Sequence, residues 1–491
     1  MKMKKILIIL SIVIGLSACQ DLEEMNVNPN SPTETHPQLL LTNVEWNAFQ
    51  AFTGTDPLYA IKMLVQTDGE NSYQYYKWNR GDFDDYSTLR NVTKMMEEAE
   101  RIEDDSYIAL GKFFRAYYFY NLTLTFGDVP YTDALSGEGS ENYQPEYDDQ
   151  QAIFEGILAE LAEANDILKS SNAIIAGDII YDGSTESWRK LINAFRLKVM
   201  LTLSNKNGVV SASDFASIYQ NEPLMESVAD NGQLVFLDQQ NNRYPHFNSS
   251  GFSSGMYMDS TFIKRLQDRE DPRLFIYATQ TKSAKEDGKA INDFTAYEGG
   301  DPAAQYNDVN LKAANGKVSK VNPRYYQDPE NEPYMLLGFS EQQLILAEAA
   351  VIGWISADAA QLYNSGVKAS FKFYEMYAES YSEYVSESEA DDYLAKSINS
   401  FANAGDMQSK VELIIMQKYL QSFLQIGWSA YFEHLRTGEP TFRRPSGVTI
   451  PYRWMYPQSE YNFNTSNVDA AIAEQFGASN DDIHEITWWL E

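Results

Sequence analysis

The chain of 491 residues is 44% apolar and 13% aromatic, so it can bury a large hydrophobic core. Its formal net charge of −32 excludes nucleic acid as a partner, because a strongly acidic surface repels phosphate backbones, and it disfavours acidic polysaccharides for the same reason. Cys19 is the only cysteine, so no internal disulfide and no iron–sulfur cluster stabilises the fold.

The first 18 residues have the pattern of a lipoprotein signal peptide. Three lysines precede an apolar run, residues 6–16, that is shorter than the roughly 18 apolar residues a membrane-spanning helix needs. The run ends in small residues, with Ala18 directly before Cys19, as a signal peptidase that cuts before a lipid-modified cysteine requires. The pattern predicts a signal peptide at 1–18, a lipid anchor on Cys19 and a turn-rich, flexible tether at 19–35.

Helical periodicity predicts a mainly α fold built on helical hairpins. Apolar residues repeat along single helical faces over residues 110–124 and 413–424, and both faces should be buried. The same periodicity predicts helical hairpins over residues 86–126, 150–203 and 342–377. Their size is typical of tetratricopeptide-like units, although insertions separate them and no strict repeat is present.

Two other stretches of the chain lose this periodicity and are rich in Asn, Ser, Gly, Tyr and Pro. We therefore predict one domain at 36–491, in which a helical scaffold at about 36–220 and 340–436 packs against an irregular, loop-rich half at about 221–339 and 437–491. Long irregular segments on a stable scaffold are where binding sites are usually found. The irregular half is accordingly the expected ligand-binding half.

An aromatic cluster between residues 73 and 80 is the strongest candidate binding site. It joins flat apolar rings to amide and guanidinium donors in a predicted loop before a helix. Sugar rings stack on such side chains, and each aromatic contact contributes only about 0.5–1.5 kcal/mol beyond area burial, so several must converge. The alternative, with equal weight, is that the rings pack in the core or alternate on a half-buried strand. The candidate ligand-binding residues are Tyr73, Tyr75, Tyr76, Trp78, Asn79 and Arg80, with Tyr306, Tyr325 and Tyr326 from the irregular middle.

No motif in the sequence assembles a catalytic or metal site. The segment Gly251–Gly255 matches the nucleophile elbow of hydrolases, but polar residues precede it instead of a buried strand, and a flexible Gly/Ser loop is the better interpretation. The four histidines have no metal-ligand spacing, and among 70 Asp and Glu residues a carboxylate pair of any spacing occurs by chance. The sequence predicts a binding protein rather than an enzyme and indicates no cofactor.

Several sequence blocks, in order, resemble the SusD/RagB family of the Bacteroidetes. The clearest is an aromatic helix that begins near Lys112 and ends in the turn Phe126–Pro130, which is similar to the family's Phe-Gly-Asp-x-Pro turn. These blocks are mostly scaffold: Gly127 and Pro130 are expected to end a helix, and Arg115 to pair with a buried acid. The other blocks, of which the last match the SusD-like subgroup, are Trp188–Leu197, Asp271–Arg273, Ala347–Ala349, Gln417-Lys418, Gly427-Trp428, Arg436–Pro440 and Tyr456–Asn462.

The resemblance implies a SusD-like fold, with tetratricopeptide-like helical units packed against an irregular ligand-binding half. It also implies a function: capture of oligosaccharides at the cell surface and their delivery to a SusC-like TonB-dependent transporter in the outer membrane. Glu23 and Glu24, shortly after Cys19, resemble the surface-export signal of lipoproteins in this phylum. Oligopeptide capture is the alternative within the same class, and a surface glycoside hydrolase or a structural adhesin are the alternatives from other classes.

Overall fold

The computed structural model describes residues 35–50, 54–137, 141–171, 173–425, 427–477 and 480–491. The predicted signal peptide, Cys19 and the predicted tether up to residue 34 therefore lie outside the described residues. The helices, in chain order, are α1 Pro37–Gln50, α2 Asp56–Ala60, α3 Asp85–Ile102, α4 Asp105–Phe126, α5 Gln150–Lys169, α6 Thr185–Thr202, α7 Ala212–Asn221, α8 Ser250–Gly255, α9 Ser260–Asp268, α10 Arg273–Tyr277, α11 Lys282–Glu286, α12 Tyr306–Ala314, α13 Arg324–Gln327, α14 Phe339–Val351, α15 Ala359–Tyr377, α16 Glu389–Ala395, α17 Met407–Leu420, α18 Ser429–Thr437, α19 Gln458–Phe463 and α20 Thr465–Phe476. The strands are β1 Leu64–Val65, β2 Gly232–Leu234, β3 Tyr257–Met258 and β4 Tyr334–Leu337.

The three predicted hairpins are pairs of packed helices. α3 packs against α4, α5 against α6, and α14 against α15. α4 also packs against α5, and α6 against α14, so the pairs stack into one helical array. The mainly α fold with tetratricopeptide-like hairpins is confirmed.

α4 is the central helix of this array and is buried on nearly all sides. Its sequence carries Tyr, Phe and Leu around the whole circumference, which is typical of a helix that packs on several sides. Asp104 caps its first turn by accepting a hydrogen bond from the Ser106 amide at 3.0 Å. The helix ends at Gly127, which has a φ of +93°, and a Cβ there would lie 2.2 Å from Gln475 Oε1. The predicted helix end is confirmed.

Two short antiparallel strand pairs fix the irregular middle of the chain, one to β1 and one within itself. β1 pairs with β3, with Leu64 opposite Met258 and Val65 opposite Tyr257, and β2 pairs with β4. The partners in each pair are distant in sequence. The irregular backbone is therefore fixed by contacts that no short sequence window contains.

Residues of the family-like blocks form buried ion pairs. Arg273 Nη2 lies 2.6 Å from Asp271 Oδ2, and both side chains are fully buried. Arg115 Nε lies 3.2 Å from Glu160 Oε1, and both of these side chains are mostly buried. Removing one partner would leave an uncompensated charge away from water, so these pairs are structural. The predicted pairing of Arg115 with an acid is confirmed.

A single hydrophobic cluster runs through the described chain, from Leu41 in α1 to Trp489 near the C-terminus. It includes the predicted apolar face of α4 and several rings of the aromatic loop described below. Within the described ranges, no helix combines the length and the apolar character that crossing a bilayer demands.

Candidate ligand-binding site

The aromatic segment 71–80 is a turn-rich loop between β1 and α3. The Tyr75 amide donates to the Asn71 carbonyl at 3.2 Å, and the Lys77 amide donates to the Ser72 carbonyl at 2.8 Å. Tyr76, with a φ of +56°, lies in the left-handed region that side chains other than glycine seldom adopt. The chain therefore reverses tightly here, and the prediction of a loop before a helix is confirmed.

Trp78, one of the predicted ligand-binding residues, is a core residue, and that prediction is wrong. Its side chain is 4% exposed, and its ring stacks on Trp454 with the ring centroids 4.9 Å apart. The rings of Trp428 and Tyr431 cover further sides of the indole at 5.9 and 5.6 Å. The indole Nε1 donates to the Arg453 carbonyl at 3.3 Å, so its polar edge is also satisfied inside the protein.

Tyr76, a second predicted ligand residue, is also buried. Its hydroxyl donates to the Ala60 carbonyl at 2.7 Å, and the ammonium of the buried Lys62 lies 3.8 Å from the centre of its ring. Lys62 also donates to the Gln74 carbonyl and so fixes the loop from beneath. Burial lowers the pKa of Lys62 and raises that of the neighbouring Asp259. Tyr76 therefore fixes the loop and offers no face to a ligand.

Tyr75 joins the loop to the irregular middle of the chain. Its side chain is largely buried, and its hydroxyl donates to the Ala304 carbonyl at 2.8 Å. The adjacent Gln74 donates to the Pro302 carbonyl at 3.2 Å. These bonds place the loop beside the start of α12, where the half-exposed Tyr306 lies two residues after Ala304. Two of the predicted segments are thus brought together.

Tyr257 was missed by the sequence reasoning. It lies in β3 opposite Val65 of β1, and the adjacent Gln66 amide donates to Gln74 Oε1 of the loop at 2.7 Å. The Tyr257 ring is half-exposed, and the Lys320 ammonium lies 5.3 Å from the ring centre. Burial and the nearby Asp68 carboxylate raise the pKa of Tyr257, so its hydroxyl stays protonated as a donor. No local signal marked Tyr257, because its place depends on the pairing of β3 with β1. We call Gln66, Asp68, Tyr257 and Tyr306, which lie in segments bonded to the loop or paired with β1, the tyrosine surface.

Asn79 and Arg80 lie at a different place, beside the C-terminal segment. Arg80 Nη1 lies 2.9 Å from Asp481 Oδ2, and its guanidinium lies 4.6 Å from the ring centre of Tyr461. The Asn79 carbonyl accepts from the Met455 amide at 2.9 Å. Arg80 is exposed but is engaged in structural contacts, so the structure does not bring it to the tyrosine surface.

The remaining candidates are also dispersed. Tyr325 is fully buried against Phe423, with the ring centroids 5.5 Å apart, so its predicted exposure is wrong. Tyr326 is half-exposed and lies beside the 246–252 region, since its carbonyl accepts from the Asn248 amide at 2.8 Å. Tyr73 is half-exposed, and its ring packs against Trp428 with the centroids 5.5 Å apart.

The tyrosine surface carries the kinds of groups that recognise polyhydroxylated ligands. Half-exposed rings supply apolar faces, and the amide of Gln66 and the carboxylate of Asp68 supply hydrogen-bonding groups.

In the part of the chain that the structure describes, no group of three His, Cys, Asp or Glu residues is arranged to hold a metal ion. Ser253 lies inside α8 and donates to the Ser250 carbonyl at 3.1 Å, so the expected flexible loop is a helix. A nucleophile elbow, which needs a strand before the serine, is not formed.

Comparison with known proteins gives matches along most of the chain. The family model SusD-like, described as starch-binding associating with outer membrane, matches residues 29–457. No curated protein matches the sequence.

Solved structures similar to this one come from Bacteroides species. A SusD homologue from Bacteroides fragilis is 54% identical, with 93% of this chain and 100% of that chain covered and a TM-score of 0.89. An outer-membrane protein from Bacteroides vulgatus, named for involvement in nutrient binding, is 55% identical with the same coverage and a TM-score of 0.90. A second SusD homologue from Bacteroides fragilis is 30% identical, again with 93% and 100% covered, and its TM-score is 0.86.

Proposed function

The chain belongs to the SusD-like family of proteins associated with the outer membrane, and on that basis we propose that it binds oligosaccharides on the tyrosine surface. The observation that carries the proposal is the bond from Tyr75 to the Ala304 carbonyl, which joins the aromatic loop to the 301–306 segment. Half-exposed tyrosines, an amide and a carboxylate lie in the segments around this loop. This combination suits sugar rings, which present both C–H faces and hydroxyl groups.

The bound sugar is delivered, in this proposal, to a SusC-like TonB-dependent transporter. The protein is held at the outer membrane by lipid on Cys19, on the outer face of the cell. The support is the family membership and the small residues that precede Cys19. The protein binds its ligand and leaves it chemically intact, in keeping with the helical setting of Ser253.

Isothermal titration calorimetry with purified protein tests ligand binding. The probes are maltohexaose, other neutral hexasaccharides and a set of hexapeptides, and product analysis after incubation detects any turnover. We expect at least one oligosaccharide to bind without being cleaved. Binding of peptides alone would favour oligopeptide capture as the function. Cleavage of a probe would indicate that the protein is a hydrolase.

Substitution locates the site. Tyr257→Ala and Tyr306→Ala should each weaken binding by about 1–3 kcal/mol, roughly fivefold to more than a hundredfold in affinity, as aromatic anchors do at binding sites. The matched control is Tyr143→Ala, since Tyr143 is highly exposed and far from this surface in sequence. Equal affinity of all three variants and the wild type would place the ligand elsewhere.

The transporter and the anchor have separate tests. Detergent extraction of membranes should recover the chain together with a much larger β-barrel protein. Cys19→Ala should release the chain from membranes that lack this transporter. Recovery of the chain alone, or a variant that stays bound to such membranes, would contradict the respective part of the proposal.

A further inference from the structure

An open crevice of about 750 Å³ lies between α9 and the segment 441–449. Its lining includes three arginines, Arg265, Arg443 and Arg444, and among its lining residues there is no Asp or Glu. Three threonines and one serine also line the crevice, one threonine from α9 and the others from the 441–449 segment. The concentration of cations is unusual for this chain, which carries 70 acidic residues against 38 basic ones.

The two arginines of the 441–449 segment are held in place by their own hydrogen bonds. Arg444 Nε donates to the Val448 carbonyl at 2.8 Å, and its Nη1 donates to the Phe442 carbonyl at 3.2 Å. Arg443 donates from Nε and Nη2 to the two carboxylate oxygens of Asp301 at 2.7 and 2.6 Å. Among the described residues, neither Nη2 of Arg444 nor Nη1 of Arg443 has a partner, so each guanidinium retains donors for a ligand.

Arg265 approaches the crevice from α9. Its Nη1 donates to the Tyr419 hydroxyl at 3.2 Å, and its Nη2 donates to the Thr441 carbonyl. These bonds fix the guanidinium against the wall of the crevice. A planar guanidinium held in one orientation suits carboxylate or sulfate, because two of its N–H groups can meet two oxygens of the same anion.

The crevice is connected to the tyrosine surface through one ion pair. Arg443 binds Asp301, and the next residue, Pro302, accepts the hydrogen bond from Gln74. Ala304, two residues further on, accepts from Tyr75. The 301–304 segment thus contacts both an arginine of the crevice and the aromatic loop.

We propose that this crevice binds the carboxylate or sulfate group of an acidic sugar in an extended glycan. The inference rests on the proposed function, because it places an acidic residue of the same glycan in the crevice. It also reverses the expectation drawn from net charge, since the local arginines favour an anion that the chain as a whole repels. Such binding should weaken as salt is added, because dissolved ions screen the attraction between the exposed arginines and the anion.

The test measures binding of three probes by calorimetry: inorganic sulfate, an oligogalacturonide and neutral maltohexaose. Arg444→Gln and the double variant Arg443→Gln/Arg444→Gln remove cations from the crevice. The matched control is Arg243→Gln, which removes an arginine that pairs with Asp238 in another loop. Thermal unfolding of each variant confirms that it is folded.

We expect sulfate and the oligogalacturonide to bind the wild type, with affinity at least tenfold lower in both crevice variants and unchanged in Arg243→Gln. Two outcomes would refute the anion site in the crevice and leave the proposed function intact. In the first, the acidic probes bind all variants equally; in the second, they do not bind while maltohexaose does. Sulfate binding that depends on Arg444, without binding of any oligosaccharide, would keep the anion site and refute the proposed function.

Discussion

Trp78→Ala should act on stability, because the structure places this ring in the core. The substitution removes an indole that is 4% exposed and packs against five other aromatic rings. Replacing a buried Trp by Ala costs about 3–5 kcal/mol from lost burial and the cavity left behind. Loss of the Nε1 donor to the Arg453 carbonyl adds about 1 kcal/mol. The free energy of unfolding should therefore fall by several kcal/mol.

Urea unfolding followed by circular dichroism measures this loss. We expect the midpoint of the transition to move to lower urea with little change in its slope, as when stability alone changes. The matched control is Phe463→Ala, an aromatic side chain that is 72% exposed, and we expect its free energy of unfolding to change by less than about 0.5 kcal/mol. A Trp78→Ala protein with a wild-type midpoint and weakened ligand binding would refute the core assignment.

Two further predictions concern the scaffold. Gly127→Ala should lower the free energy of unfolding by about 1–3 kcal/mol, because it places a Cβ at a position with positive φ and against Gln475. The matched control is Gly405→Ala, which has open space around it and should leave the free energy of unfolding nearly unchanged in the same urea titration. Burial lowers the pKa of His434 from 6.5 to about 4, so the unfolded chain binds this proton first and stability is lost as the pH falls through 6.5 toward 4. Over that pH range the free energy of unfolding of the wild type should fall by up to about 3 kcal/mol more than that of His434→Gln. Parallel pH profiles of stability for the two proteins would contradict the lowered pKa of His434.

The sequence predicted the scaffold well, because its signals are local. The apolar face of α4 repeats at helical spacing within one segment, and its end is marked by Gly127, which the backbone requires at that turn. Each of the three hairpins is likewise contained in a single continuous stretch of chain. The division into a scaffold and an irregular half stays a prediction, as does the anchor on Cys19.

The site was predicted less well, because burial in the irregular segments depends on distant residues. Trp78 looked exposed among polar neighbours, and its covering rings, Trp428 and Trp454, lie far along the chain. Tyr257 had no pattern of its own and joins the surface only because β3 pairs with Val65 of β1. A window of ten residues contains neither fact, so the sequence located the aromatic cluster but did not separate its buried members, such as Trp78, from its exposed ones, such as Arg80.

The loop 74–78 acts as a clamp, and this explains why its composition imitates that of a binding site. Four of its side chains, Gln74, Tyr75, Tyr76 and Trp78, each donate a hydrogen bond to a backbone carbonyl of another segment. The irregular segments form few strand bonds, so their buried carbonyls need side-chain donors, and an unpaired one would cost about 1–3 kcal/mol. Amphipathic rings meet that need while filling apolar space, which is the same combination that recognises a sugar. The proposed ligand surface therefore uses residues around the clamp, whose side chains can vary without releasing a buried carbonyl.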